Sequence, residues 1–317
     1  MIFEHVNINS GPWSKEFDEF YFTALGFASD PRAEFALANT RAAGGTTEGL
    51  IWANLGLQQL HLPSDEPQHI SGHIGLEYGN LSEVVERLQL VGVPYKTVDD
   101  PLGRCMYIET ECPVGNVFRL RQQPMSDDRA QGSTSKRIMG SYLGPVRFIA
   151  STAEHALPGG LSAGLGMSYV ELSVREGTAA QICAFYNHIF GCNASVVVSE
   201  ETSSPMCVVN VGCRQSLRYI EVLSSTDQTK NPSSNSFPTY DGYHIAVYVN
   251  DFVEIFERLQ SLHLVYENPR FPQFTYRSLE EVNCCQLVLL HWLYRLCFVF
   301  LQARCFTLIP GIMFCIL

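Results

Sequence analysis

Three histidines in strand-like segments are the residues of this sequence best suited to coordination chemistry. His5 lies in an alternating run at the start of the chain, and His73 and His244 lie in two later apolar runs. Neutral imidazole binds divalent metal ions, and strand side chains that alternate between faces could direct such rings into one cavity. Glu109 is a candidate carboxylate ligand beside them. The alternative is a set of hydrogen-bonded cavity histidines.

Two arginines are the candidate groups for anion binding. Arg119 and Arg121 are two residues apart on a predicted strand and therefore share one of its faces. Their guanidinium groups could grip a carboxylate or phosphate, or the pair could point outward into solvent. Gln59 is a candidate cavity-lining amide, with a structural role as the alternative, and Tyr169 is a candidate aromatic wall or ligand.

The elements that position these residues occur twice in the chain. A strand and the helix-like run that follows it, Gly72–Tyr78 with Leu81–Val91, return as Tyr243–Val249 with Phe252–Leu262. The tetrapeptide Glu-Arg-Leu-Gln is identical at 86–89 and 257–260. Further landmarks repeat in the same order: Phe20-Tyr21 and Gly26 with Phe185-Tyr186 and Gly191, and Asn54, Gly56 and Gln59 with Asn210, Gly212 and Gln215. The sequence therefore contains one module in two copies.

Within the first copy, hydrophobic periodicity predicts the element order β, α, β, β, β, α, β, β. The predicted strands cover residues 2–9, 33–40, 49–62, 73–78, 105–110 and 117–121, and the predicted helices cover 13–25 and 81–91. In the second copy, a strand is predicted over 169–174 and a helix over 179–190.

The chain divides into four predicted segments: a first module (1–123), a Ser/Gly-rich linker (124–166), a second, incomplete module (167–283) and a divergent apolar tail (284–317). No Asp or Glu follows Glu281, and the tail predicts no polar closing hairpin like that of the first module. The preferred interpretation is that unrelated sequence has replaced the original ending. A membrane anchor over 287–317 or an unusual packed helix are the alternatives, although Arg295 and Arg304 disfavour a membrane span.

Composition narrows the class of protein. A chain of 317 residues with 46% hydrophobic residues has room for a sizeable core, and its net charge of −11 argues against a nucleic-acid partner. The 11 cysteines are irregularly spaced, which favours a reducing compartment over a disulfide scaffold. We expect a cytoplasmic protein whose partner is a small molecule, and we expect no membrane contact outside residues 287–317.

The repeated unit, with its first-strand histidine, its His-Ile-(Gly/Ala)-(Leu/Val) strand and its Phe-Tyr-x-x-x-(Leu/Phe)-Gly helix end, resembles the vicinal oxygen chelate superfamily. That superfamily includes glyoxalase I, extradiol dioxygenases, and fosfomycin and bleomycin resistance proteins. The resemblance implies an α+β fold of two tandem βαβββ modules, glyoxalase- or bleomycin resistance-like, that form an open, cup-shaped mixed sheet.

The resemblance also implies positions for metal ligands. The first-strand ligand falls on His5 and Tyr169, the middle-strand ligand on His73 and His244, and the last-strand glutamate of the first module on Arg119. We expect His5 to partner His73, and Tyr169 to partner His244. The resemblance implies one divalent metal, iron, manganese, zinc or nickel. The positive charge of Arg119 where a cation would sit opposes that, so a protein without a metal is the other expectation.

The leading hypothesis is a protein with an incomplete metal site that binds or turns over a small organic molecule in the cup between the modules. A metal-dependent lyase or ring-cleaving dioxygenase using His5, His73 and Glu109, with the metal as Lewis acid, is the first alternative. The second is a structural or interaction protein whose tail docks a membrane or a partner.

Overall fold

The structure is a computed structural model that describes residues 1–30, 50–99, 102–123, 162–212, 214–222 and 243–265, and the backbone of 305–309 and 312–316. The predicted strand over 33–40 and most of the predicted linker lie outside these residues. No helix among them is long and apolar enough to cross a membrane.

The first module begins with β1 (Ile2–Asn7) and a short helix α1 (Lys15–Phe17), which continues as a π-helical segment (Asp18–Ala24). The strands β2 (Ala28–Ser29), β3 (Leu50–Leu55), β4 (Gln58–Pro63) and β5 (Gly72–Tyr78) precede helix α2 (Leu81–Val91). The module ends with β6 (Tyr95–Asp99), β7 (Cys105–Glu111) and β8 (Val117–Gln122).

The second module repeats this order. It consists of β9 (Gly164–Arg175), α3 (Ala179–Phe190), β10 (Ala194–Val198), β11 (Pro205–Asn210), β12 (Ser216–Val222), β13 (His244–Tyr248) and α4 (Phe252–Ser261). A hairpin of β14 (Cys305–Ile309) and β15 (Ile312–Ile316) follows. The predicted α+β fold of two βαβββ modules is confirmed.

The two central helices have the predicted bounds because local capping groups fix their ends. The side chain of Asn80 accepts a hydrogen bond from the backbone N–H of Ser82 at 3.0 Å and so begins α2. Gly92 ends α2 and Gly191 ends α3 in the left-handed conformation, with φ of 71° and 61°.

The single strand predicted over 49–62 is wrong, because this segment is the hairpin of β3 and β4. Gly56 forms its turn with a φ of 60°, a conformation that costs glycine little. A Cβ atom at this position would stand 1.9 Å from the carbonyl oxygen of Leu165 in β9. The turn therefore also packs backbone to backbone against the second module.

The strands form two mixed sheets, and each sheet contains strands of both modules. The seven-stranded first sheet has the order β14-β15-β13-β1-β4-β3-β2, and the eight-stranded second sheet has the order β10-β11-β12-β9-β5-β8-β7-β6. At the two junctions, β1 pairs antiparallel with β13 and β5 pairs antiparallel with β9. Each sheet therefore consists of the first half of one module and the second half of the other.

The helices α2 and α3 pack against strands of the second sheet, α2 on β8 and α3 on β10, β11 and β12. Ile74 and Leu76 of β5 are fully buried, and Phe118 of β8 packs on Phe20 with ring centroids 5.6 Å apart. Neighbouring residues of a strand point to opposite faces. His73, next to Ile74, and Arg119, next to Phe118, therefore lie on the face away from this core.

The hairpin of β14 and β15 stands in the first sheet where β7 and β8 stand in the second. β15 runs parallel to β13, as β8 runs parallel to β5. The sequence predicted this position to be empty, because the tail lacks the polar turn of the first module. The backbone therefore places a closing strand in both sheets.

Replacing Gly56 with alanine should lower the free energy of unfolding by about 3 kcal/mol or more, because the new methyl group meets the Leu165 carbonyl at a left-handed turn. Gly92→Ala is the matched control, since Gly92 has the same sign of φ with nothing within 4 Å of the added Cβ. It should cost about 1 kcal/mol. Equal losses in urea unfolding would show that the turn does not pack on β9.

Candidate functional site

The pairing of the modules produces two polar surfaces with different chemistry. We call the first the histidine face: His5 of β1, His61 of β4 and His244 of β13, on the first sheet. We call the second the arginine face: Arg119, Arg121 and Arg218 with His73 and Tyr169, on the second sheet. Each face contains side chains from both modules.

On the histidine face, two imidazole rings from different modules face each other edge to edge. The Nε2 atoms of His5 and His244 are 3.1 Å apart, and both residues are buried. The Nδ1 atom of His5 contacts the carboxylate of Glu4. The register between β1 and β13 shifts at Glu4, between Phe3 and His5. This irregularity explains how the side chain of Glu4 reaches the ring of the next residue, His5. With Nδ1–H donated to Glu4, the Nε2 lone pair of His5 is directed at His244.

The third histidine of this face is held by a stack and a buried amide. His61 lies between His5 and Trp52, with ring centroids 3.8 Å and 4.6 Å away. Its Nε2 atom lies 3.2 Å from Oε1 of Gln59, whose amide nitrogen donates to the carboxylate of Asp30 at 2.7 Å. Gln59, predicted to line a cavity, is therefore a buried link between a carboxylate and a histidine.

The histidine face has donors for part of a metal site. Two nitrogens that each lie about 2.1 Å from one ion are roughly 3 to 3.4 Å apart, so the spacing of His5 and His244 suits either a hydrogen bond or a shared cation. Glu4 orients the first ring as carboxylates orient metal-binding histidines. Among the residues whose side chains the structure describes, no three His, Cys, Asp or Glu groups are arranged to hold a metal. The residues of β15 include no Asp or Glu.

On the arginine face, the ring of Tyr169 crosses β5 at a glycine. Tyr169 pairs in register with Gly75, and a Cβ atom on Gly75 would stand 2.1 Å from the tyrosine ring. The ring lies edge-on to His73, and the hydroxyl oxygen is 3.0 Å from Nε2 of His73. Gly75 is thus the residue that admits the ring, and His73 is the polar partner of its hydroxyl.

Arginines and tyrosines alternate along this face. The Cζ atom of Arg218 is 3.7 Å from the centre of the Tyr169 ring, and that of Arg121 is 5.6 Å from it. Arg121 and Arg119 both lie beside Tyr107, with Cζ atoms 5.4 Å and 4.6 Å from its ring centre. Guanidinium groups stack favourably on aromatic rings, which holds these cations in place.

Only one of the three guanidinium groups is paired with carboxylates in the described structure. The Nε atom of Arg119 donates to Glu109 at 3.1 Å, and its Nη1 atom donates to both carboxylate oxygens of Glu201 at 2.7 Å and 3.0 Å. The Nε atom of Arg121 is buried and has no hydrogen-bond partner among the described residues. The Nε atom of Arg218 donates to the hydroxyl of Ser216 at 3.2 Å.

The environment keeps His73 neutral. Burial, reinforced by the positive charges of Arg119, Arg218 and Arg121, lowers the pKa of His73 from 6.5 to about 3. The neutral ring accepts a hydrogen bond from the Tyr169 hydroxyl at Nε2 and directs Nδ1 toward Glu171, 3.6 Å away. Burial raises the pKa of Glu171, and Arg218 opposes that shift. The same arginines that exclude a proton from His73 also disfavour a cation beside it, so this face does not fit a metal ion.

The structure separates the residues that the sequence grouped. His5 lies with His244, and His73 lies with Tyr169, so the predicted partnerships of His5 with His73 and of His244 with Tyr169 are wrong. Glu109, a candidate metal ligand, pairs with Arg119 instead. The reason is that the strand beside each histidine comes from the other module.

Sequence reasoning missed His61 and Arg218, which occupy equivalent positions. Arg218 pairs in register with Glu171 on β9, as His61 pairs with Asn7 on β1. The repeat carried the signal, but the alignment of Gln59 with Gln215 was one residue out. Gln58 and Gln215 are the equivalent amides, since each directly precedes the residue that pairs in register with His5 or with Tyr169. Both also bond Met167, Gln58 at its N–H and Gln215 at its carbonyl, at 3.1 Å and 2.9 Å.

Solved structures share this fold. The chain is similar to a point variant of glyoxalase I from Zea mays, with 12% identity, a TM-score of 0.51 and coverage of 99% of this chain and 93% of that one. Another structure of Zea mays glyoxalase I has 11% identity and a TM-score of 0.46, covering 82% and 78%. No family model and no curated protein matches the sequence. At these identities the first likeness establishes the fold alone.

Lowering the pH from 7 to 5 should destabilise the wild type more than a His73→Gln variant, by about 2 kcal/mol. The pKa of His73 is lower in the folded state, so below pH 6.5 the unfolded chain binds the proton first and stability falls with pH. Urea unfolding at both pH values measures this difference. His188→Gln is the control, because this histidine is exposed and should leave the wild-type pH dependence unchanged. Equal slopes for wild type and His73→Gln would contradict a buried neutral His73.

Proposed function

We propose that this chain, which has the two-module fold of glyoxalase I, binds a small organic anion on the arginine face without a metal ion. The observation that carries the proposal is the group of Arg119, Arg121 and Arg218 around two tyrosine rings, with a buried Nε atom of Arg121 that has no partner among the described residues. Arg119, Arg121 and Tyr169 are the substrate-binding residues in this proposal.

The physical argument is the cost of burying cations. A guanidinium that loses water without gaining an acceptor is destabilised, and an anion that supplies two acceptor oxygens relieves that cost. Tyr169 itself is fully buried beneath Arg218, and its hydroxyl proton is directed at neutral His73, so its ring holds the arginine in position. This combination supports an organic anion with a carboxylate rather than a bare metal ion.

The experiment is isothermal titration of butyrate, benzoate and inorganic phosphate into the purified protein with EDTA present. We expect the carboxylates to bind, and Arg121→Met and Arg218→Met to weaken binding at least about tenfold, because each removes a charge-assisted hydrogen bond of about 1.5–3 kcal/mol. Arg175→Met, which changes an exposed arginine at the end of β9, is the matched control. An equal loss in that control, or binding that requires a divalent metal, would overturn the proposal.

A second candidate function rests on the histidine face: metal-dependent chemistry of the lyase or dioxygenase type. The facing Nε2 atoms of His5 and His244, with Glu4 on the far nitrogen of His5, favour it. When bound, the metal would supply a Lewis acid. The chain's own residues would hold it, with Glu4 fixing which nitrogen of His5 carries the proton.

Metal titration separates the two candidates. If the histidine face holds an ion such as zinc or nickel, His5→Ala and His244→Ala should each weaken metal binding at least about tenfold, since loss of one ligand removes a coordinate bond. His188→Ala, an exposed histidine, should have no effect. Unchanged metal affinity in both site variants, or the absence of any uptake by the wild type, would exclude this candidate.

A further inference from the structure

The ion pair between Arg119 and Glu201 joins a strand inside the second sheet to an exposed turn. Arg119 lies on β8, between β5 and β7, and its side chain is 16% exposed. Glu201 lies in the turn between β10 and β11, and its side chain is 47% exposed. The arginine is therefore fixed by the sheet, whereas the carboxylate reaches it from an exposed turn.

Glu201 presents its carboxylate to Arg119 as a bound ligand would. Both of its oxygens lie within 3.0 Å of one guanidinium nitrogen. Glu109 reaches Arg119 differently, because it is the direct strand partner of Arg119 and is set by the register of β7 and β8. Of the two carboxylates, Glu201 is the one that a competing anion can replace without disturbing the sheet.

The other end of the arginine face lacks such a carboxylate in the part of the chain that is described. Arg121 and Arg218 both lie within 6 Å of the centre of the Tyr169 ring, at 5.6 Å and 3.7 Å. Burial lowers the pKa of Arg218, as expected for a cation with too little compensation from carboxylates. Glu171, the register partner of Arg218 on β9, opposes the lowering of this pKa, but its carboxylate also lies 3.6 Å from Nδ1 of His73.

We propose that the ligand is a small dicarboxylate, which places one carboxylate on Arg119 in the position of Glu201 and the other between Arg121 and Arg218. This inference rests on the proposed anion binding. It adds that the ligand carries two carboxylates and that it displaces Glu201 from Arg119. Glu201 acts as an internal competitor, which raises selectivity because a single carboxylate cannot both displace it and reach the second pair of arginines.

The test compares succinate with butyrate, which has the same number of carbon atoms and one carboxylate fewer. Titration into the wild type should give at least about tenfold tighter binding for succinate, since it adds one charge-assisted contact. Malonate and glutarate measure the preferred spacing between the carboxylates. Inorganic phosphate tests whether charge alone accounts for the affinity.

The Glu201→Gln variant tests the competition. It should bind succinate about two- to fivefold tighter than the wild type, which corresponds to the usual worth of an exposed ion pair. Glu200→Gln is the matched control, because it removes the same charge from the neighbouring exposed residue of the same turn. Equal gains in both variants would show a general charge effect and overturn the role of Glu201.

The outcomes distinguish this inference from the proposed function. If butyrate binds as tightly as succinate and Arg121→Met still weakens both, the anion site stands and the dicarboxylate is excluded. If phosphate binds more tightly than any dicarboxylate, the ligand class is likewise wrong. If no carboxylate binds and the arginine variants behave as the wild type, both proposals fail together.

Discussion

The antiparallel pairing of β5 with β9 is the constraint on which the arginine face depends. It places Gly75 opposite Tyr169 and His73 opposite Glu171. The two residues of each pair are about a hundred positions apart in the sequence. Because Gly75 has no side chain, the tyrosine ring can lie across the strand and reach His73. The same exchange at β1 and β13 brings His5 to His244. Neither face exists within one module.

Electrostatics then gives the two faces opposite preferences. Burial, together with the charges of Arg119, Arg218 and Arg121, lowers the pKa of His73. The three guanidinium groups oppose any cation on this face and favour an anion that reaches them in place of water. On the histidine face, the carboxylates of Glu4 and Asp30 lie close to the imidazole cluster, Glu4 directly and Asp30 through Gln59. A repeated scaffold therefore presents a site suited to anions and a site with features suited to cations.

Local chemistry made the helices predictable, whereas the site depended on contacts that sequence does not show. Asn80 and Gly92 mark both ends of α2, and the periodicity between them identifies the buried side. Gly56 was visible as a repeated landmark, yet its role as a hairpin turn was missed because the apolar pattern continues through it. The partner of His73 could not be deduced, because strand pairing across the repeat depends on tertiary packing rather than on spacing.

The exchange of halves between the modules has an evolutionary consequence. After a gene segment is duplicated, each residue has an equivalent in the other module. In this fold the two equivalent residues lie on different faces. His5 and Tyr169 are such a pair, one beside His244 and the other beside His73. Selection could therefore alter one site by substitutions in either copy while the other site kept its residues. A single duplication event gives the lineage two sites that drift and specialise separately within one folding unit.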